Sequence, residues 1–191
     1  MLIYNFAPYF SNSVGGLNYL EKYTISFGGL HEGTHSFQFI ADDEFFVQFA
    51  ESPIASGILN VEVRFIKKSH LSELLFDIRG TIKTECDRCL DLMDVSVSYT
   101  GSLFLKRNIS EEDDKEDDEI VFITQTQTEI CIAQYIYEFV ILSLPLRRVH
   151  PDDKKGKNTC NLEMLKKIQS LSVKETSTTD GRWDDLKKLL N

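Results

Sequence analysis

The stretch Leu59-Asn60-Val61-Glu62-Val63-Arg64-Phe65, LNVEVRF, alternates apolar and polar side chains without a break. Successive side chains of a strand point to opposite faces. This period of two therefore predicts a strand whose dry face is Leu59, Val61, Val63 and Phe65 and whose other face is wet. Working outward, the pattern resumes after the polar turn KKSH at 67–70. There Leu74, Phe76, Ile78, Gly80 and Ile82 face one way, with Asp77, Arg79, Thr81 and Lys83 opposite. It returns once more as Val95, Val97, Tyr99, Leu103 and Leu105 against Ser96, Ser98, Thr100 and Ser102. Three consecutive strands joined by short turns predict an antiparallel meander. The fragments YTISF (23–27), HSFQFI (35–40) and FFVQFA (45–50) sit among Gly and Asp turn signals and are expected to add strands to it. Phe37, Phe39, Phe45, Phe46 and Phe49 read as core rather than as a stacking platform for bases.

The meander gives way to EEDDKEDDE, Glu111 to Glu119, eight acids and one lysine with a local charge of −7. Such a run has the composition of a solvated loop. IVFIT (120–124) reads as a short strand. From Glu129 to Leu144 the apolar residues Ile132, Tyr135, Ile136, Phe139 and Val140 recur at helical spacing. Thr126 and Glu129 are placed as a capping box and Pro145 is the stop, so one long helix is expected to cover the sheet. Asn161 to Leu171 and the stripe Trp183, Leu186, Leu189 and Leu190 predict short carboxyl-terminal helices around the linker SVKETSTTDG. The expected fold is α+β: an antiparallel sheet or partly open barrel over 1–106, an acidic loop at 107–119, a strand and long helix over 120–150, and a basic loop with a helical tail over 151–191.

The turn TECDRCLD (84–91) carries two of the four cysteines, spaced CxxC between the second and third meander strands. A knuckle there lets backbone N–H groups point at both sulfurs, and a structural zinc needs about two further donors. His70 is at the far end of a strand of roughly ten residues, ~30 Å from the knuckle. His31 and His35 share a turn in which Gly33 disfavours the helix that HxxxH would need. Cys131 falls in the first turn of the expected helix, where a buried inert thiol is the ordinary reading. Cys86, Cys89, His150 and Cys160 therefore form the candidate zinc tetrad. A structural turn without an ion is the alternative, because no second CxxC is present. Thiol exchange is disfavoured, since the pair lies between strands rather than at a helix N-terminus and Glu85 and Asp87 beside it raise a thiol pKa.

The 191-residue chain carries a formal net charge of −9, which argues against a general nucleic-acid coat protein. The distribution is uneven. From Arg147 to Lys167 seven basic side chains face three acids, a local charge of +4. Lys83, Arg88, Arg147, Arg148, Lys154, Lys155 and Lys157 are expected to gather at the CxxC pole as an RNA or partner contact, joined by Arg182 and Trp183, with the acidic run at the opposite pole. No Gly-rich phosphate loop, nucleophile elbow or HExxH helix occurs, so a binding protein rather than an enzyme is expected. The amino terminus has no basic region before its apolar residues and no stretch is apolar enough to span a bilayer, which predicts a cytoplasmic protein with reduced cysteines and no membrane contact.

The run GTIKTECDRCLD (80–91), the helix end ILSLPLRRVHP (141–151), the later Cys160 and the closing DGRWDDLKKLL (180–190) resemble, in that order, the YceD family of large ribosomal RNA subunit accumulation proteins, in the form found in Bacteroidetes. The resemblance implies a non-enzymatic factor supporting 23S ribosomal RNA accumulation and ribosome assembly, with ribosomal RNA or a large-subunit ribosomal protein as partner. It also implies that Cys86 and Cys89 match the family's CxxC, that His150 falls near its first downstream cysteine and that Cys160 matches a later one. A second functional expectation is a zinc-stabilised protein–protein interaction module whose acidic run, 111–119, holds a basic partner.

Overall fold

The structure, a computed structural model, describes residues 19–107 and 120–172. The LNVEVRF stretch lies within strand β3 (Ile54–Lys67), which is followed by β4 (Leu71–Glu85) and β5 (Leu92–Arg107). With β2 (Gly33–Ala41) on one side and β6 (Ile120–Ile123) on the other, they form an open five-stranded sheet in the order β2-β3-β4-β5-β6. The register aligns the dry rows across the meander, with Val61 opposite Ile78 and Ile78 opposite Tyr99. Every apolar residue predicted for that face is buried in β3; in β4 and β5 only Gly80 and Tyr99 are half-exposed.

The fold is α+β, and the departures from expectation have local causes. FFVQFA is not a strand: helix α1 (Asp43–Val47) takes its place. Asp42 caps it by accepting the Phe45 N–H at 3.2 Å, Asp43 and Glu44 oppose the helix dipole, and Phe45 and Phe46 are buried under the sheet. The sheet is also mixed rather than antiparallel, because β6 runs parallel to β5 from Phe104↔Ile120 to Arg107↔Ile123. A parallel neighbour needs a crossover of roughly a dozen residues, and 108–119 provide that length. The acidic run lies outside the described residues. Its flanks, Arg107 and Ile120, sit at the end of β5 away from Leu92 and the CxxC turn, ~50 Å along the strand at ~3.3 Å per residue.

The long helix is shorter than its sequence pattern predicts. Glu129–Cys131 form strand β7, paired antiparallel with β1 (Thr24–Ser26) in a separate two-stranded sheet. The Ile132 N–H is taken by Tyr23 O at 2.9 Å, so the helix (α2, Ala133–Leu142) starts only after this ladder and the Thr126–Glu129 capping box does not form. At ~1.5 Å per residue α2 spans ~15 Å and covers only part of the sheet. It buries Ile136 and Val140 and stacks Phe139 on Tyr99 at 4.8 Å. Cys131 is accordingly an exposed strand-end thiol, not a buried helical one. Helix α3 (Leu162–Leu171) forms as predicted, whereas the terminal stripe around Trp183 lies outside the described residues. Among the described residues no helix is long and apolar enough to cross a membrane.

Asp42 offers a first test of the α1 junction. Burial opposes its ionisation, but the Tyr19 hydroxyl and the Phe45 N–H that it accepts outweigh this and hold the carboxyl below its ordinary pKa. A depressed carboxylate contributes stability above its unfolded pKa and loses it as pH falls through the folded value. Asp42→Ala is therefore expected to cost about 1 kcal/mol at neutral pH. Urea midpoints measured down the acid limb are expected to converge with those of the unaltered chain.

Candidate metal centre

The two long strands β4 and β5 deliver the CxxC turn. Cys86 N donates to Asp91 O at 3.0 Å and Leu90 N to Cys86 O at 2.9 Å, closing the knuckle. Leu90 takes the left-handed conformation, φ 63°, that follows from so tight a reversal, and its side chain is exposed. The second half of the site arrives on the segment after α2. Asp87 N donates to Arg148 O at 2.7 Å, while the Asp87 carboxylate accepts the Arg148 N–H at 2.6 Å and its guanidinium at 3.1 Å. Arg148 also reaches the hydroxyl of the fully buried Thr84 at 3.3 Å. This clamp sets His150 against the knuckle. Between His150 and Cys160 the loop is ordered by Asp153, whose carboxylate accepts the N–H groups of Lys155 and Lys157 at 2.8 Å each. Asn158 holds the Cys160 N–H at 2.8 Å. Asn161 caps α3 and donates to Asp91 across the site at 3.1 Å.

The result brings all four predicted donors together. Cys86, Cys89 and Cys160 are buried free thiols and His150 is half-buried, with one ligand atom from each lying within 4.8 Å of every other. Donors held ~2.3 Å (sulfur) and ~2.0 Å (nitrogen) from a shared tetrahedral ion stand about 3.8 Å apart for S···S and about 3.5 Å for S···N. The observed separations are 3.8 Å for Cys86 Sγ to Cys160 Sγ, 3.4 Å for Cys89 Sγ to His150 Nδ1 and 3.7 Å for Cys160 Sγ to His150 Nδ1. The donor set thus fits a single tetrahedral cation and can hold a metal ion.

The electrostatics agree. Burial works against ionisation of Cys86, yet the N–H groups of Cys89, Arg88 and His150 converge on its sulfur and lower its pKa to about 6. Asp87, expected to oppose this, is turned onto Arg148. Cys160 is pushed up by burial; Arg88 works against the rise, while the neighbouring Cys86 and Cys89 sulfurs add to it. Three sulfurs this close share a second positive partner far better than they ionise alone.

Other predicted residues separate into two groups. Lys83 on the wet face of β4, Arg147, Lys154, Lys155 and Lys157 are exposed near the site or on its loop. Arg88 and Arg148 are half-buried and engaged, Arg88 through a 3.1 Å bond from Nε to Cys160 Sγ. Arg182 and Trp183 lie outside the described residues. Sequence reasoning missed the supporting polar residues Thr84, Asp91, Asn158 and Asn161. Of these only Asn161 carried a local signal, as a cap before the apolar stripe of α3.

No curated protein and no solved structure matches the chain. The family described as large ribosomal RNA subunit accumulation protein YceD matches residues 74–190, a span that begins in β4 and includes all four donors. That match covers more than half of the 191 residues, and the chain belongs to the YceD family.

Proposed function

We propose that the protein supports accumulation of large-subunit ribosomal RNA by binding that RNA with a zinc-closed, lysine-bearing loop, and that it carries out no chemical step. The observation that carries this reading is the loop from His150 to Cys160. Both of its ends are donors, and between them Lys154, Lys155 and Lys157 are exposed against Asp152 and Asp153, with the Asp153 carboxylate turned onto backbone N–H groups. Exposed Arg147 and Lys83 extend the same pole. Phosphates are bound by such cations through counterion release, without need of a pocket. Four protein donors complete a tetrahedral shell and leave no position for a substrate water, the arrangement of a structural rather than a catalytic zinc.

The test is the triple substitution K154Q/K155Q/K157Q, which leaves the donors in place. Affinity for large-subunit ribosomal RNA fragments is expected to fall about tenfold or more at moderate salt. The slope of log affinity against log salt is expected to lose roughly two units, since each phosphate contact contributes about 0.7–0.9. Unchanged RNA affinity overturns the reading. RNA affinity unchanged alongside salt-sensitive capture of a basic ribosomal protein through 111–119 would assign the function to the acidic run instead.

A further inference from the structure

The metal reading leaves a charge out of balance. A divalent ion with three thiolates and a neutral imidazole carries a net charge of −1, and Cys86, Cys89 and Cys160 are all buried. An uncompensated charge in such surroundings is strongly disfavoured. Among the described residues, the basic side chain hydrogen-bonded to a donor sulfur is Arg88, whose Nε lies 3.1 Å from Cys160 Sγ. Of the other arginines near the site, Arg148 is paired with Asp87 at 3.1 Å and Arg147 is exposed. The Asp91 carboxylate accepts from the Asn161 amide at 3.1 Å.

We propose that Arg88 is a positioning residue of the metal centre: its guanidinium balances the anionic donor set and fixes Cys160 Sγ in its ligating position. This rests on the zinc reading above and deepens it. Arg88 occupies the third position of the CxxC turn, so the first half of the site reaches over 72 residues of chain to hold the second. A guanidinium suits the task because it stays charged at every relevant pH and presents a planar donor to sulfur. Arg88 consequently belongs to the metal centre and not to the RNA contact.

The experiment uses the full chain loaded with one equivalent of zinc, or of Co²⁺ as a spectroscopic probe, in R88A, R88Q and R88K forms. Partners of ligating side chains typically govern metal affinity by 10–100-fold. R88A is expected to release zinc to a competing chelator about tenfold faster or more and to shift the sulfur-to-cobalt charge-transfer band. R88K, which keeps the charge, is expected to recover most of the loss, and R88Q, which keeps a donor alone, little of it. R88Q and R88K retain most of the stem and give the same readout where the alanine variant does not fold. Wild-type release and an unshifted band in R88A overturn the proposal, as does loss of RNA affinity in R88A at an unchanged release rate. A wild-type chain that takes up neither metal would instead remove the zinc reading beneath it.

Discussion

Cys160→Ala is expected to lower zinc affinity by at least about 100-fold and to melt the carboxyl-terminal part of the described structure while leaving the sheet folded. The magnitude follows from the site: structural zinc bound by four donors is held by roughly 10–16 kcal/mol, and removing one donor forfeits about a quarter of it, ~3 kcal/mol, or over 100-fold. The locality follows from packing. The three buried cysteines form a cluster separate from the main core, covered by Val149, Met164 and Leu165 and touching the rest through Met93. Helix α3 has no buried residue of its own. A ten-residue helix is not stable in isolation, so on the zinc reading proposed above the ion is what holds it. Amide exchange is the measurement: protection is expected to vanish from the knuckle and from 147–171, with β3, β4 and β5 unchanged. A variant that keeps stoichiometric metal, or one in which the sheet unfolds together with the loop, refutes this account.

The separation of core and centre also explains what was legible in the sequence. The meander was readable because a period of two is written directly in residues such as Val61 and Val63, and burial on one face enforces it. The four donors were narrowed by elimination: strand length removed His70, but Cys131 was set aside as a buried helical thiol and is instead an exposed thiol at a strand end. Two elements were misread, one because of a local cap and one because of a distant pairing. Phe45 and Phe49 fit strand spacing as well as helix spacing, and the Asp42 cap decided between them. Glu129–Cys131 fit the helical stripe, but pairing with Thr24–Ser26, more than 100 residues earlier, buries Ile25 and Ile130 together, and no local signal encodes a partner that distant. The same limit hid the contacts of Arg88 and Arg148, which the sequence suggested as an RNA or partner surface and whose observed partners lie 72 and 61 residues away.

Gly80→Ala is expected to destabilise the chain by about 3 kcal/mol, at the top of the range for overpacking, and to lower the melting midpoint by about 9 °C at roughly 3 °C per kcal/mol for a chain of this size. Gly80 stands in the inward-facing row of β4, between Ile78 and Ile82, opposite Leu59 of β3 and Val97 of β5. A Cβ built there meets Ile58 O at 2.1 Å and Leu59 Cα at 2.9 Å, and the backbone has φ 158°. Both obstacles are backbone atoms of the neighbouring strand, so relief requires β3 to move away and its ladder with β4 to stretch. β4 is the middle strand, hydrogen-bonded on both sides, and cannot yield outward. Its last residue, Glu85, leads directly into Cys86, so a shift at Gly80 is transmitted along a stiff strand toward the knuckle. Thermal unfolding of metal-loaded and chelator-treated Gly80→Ala separates the two consequences. The loss of about 3 kcal/mol is expected in both states because its origin lies in the sheet. An alanine variant melting with the unaltered chain would show that β3 and β4 approach less closely than 2.1 Å implies.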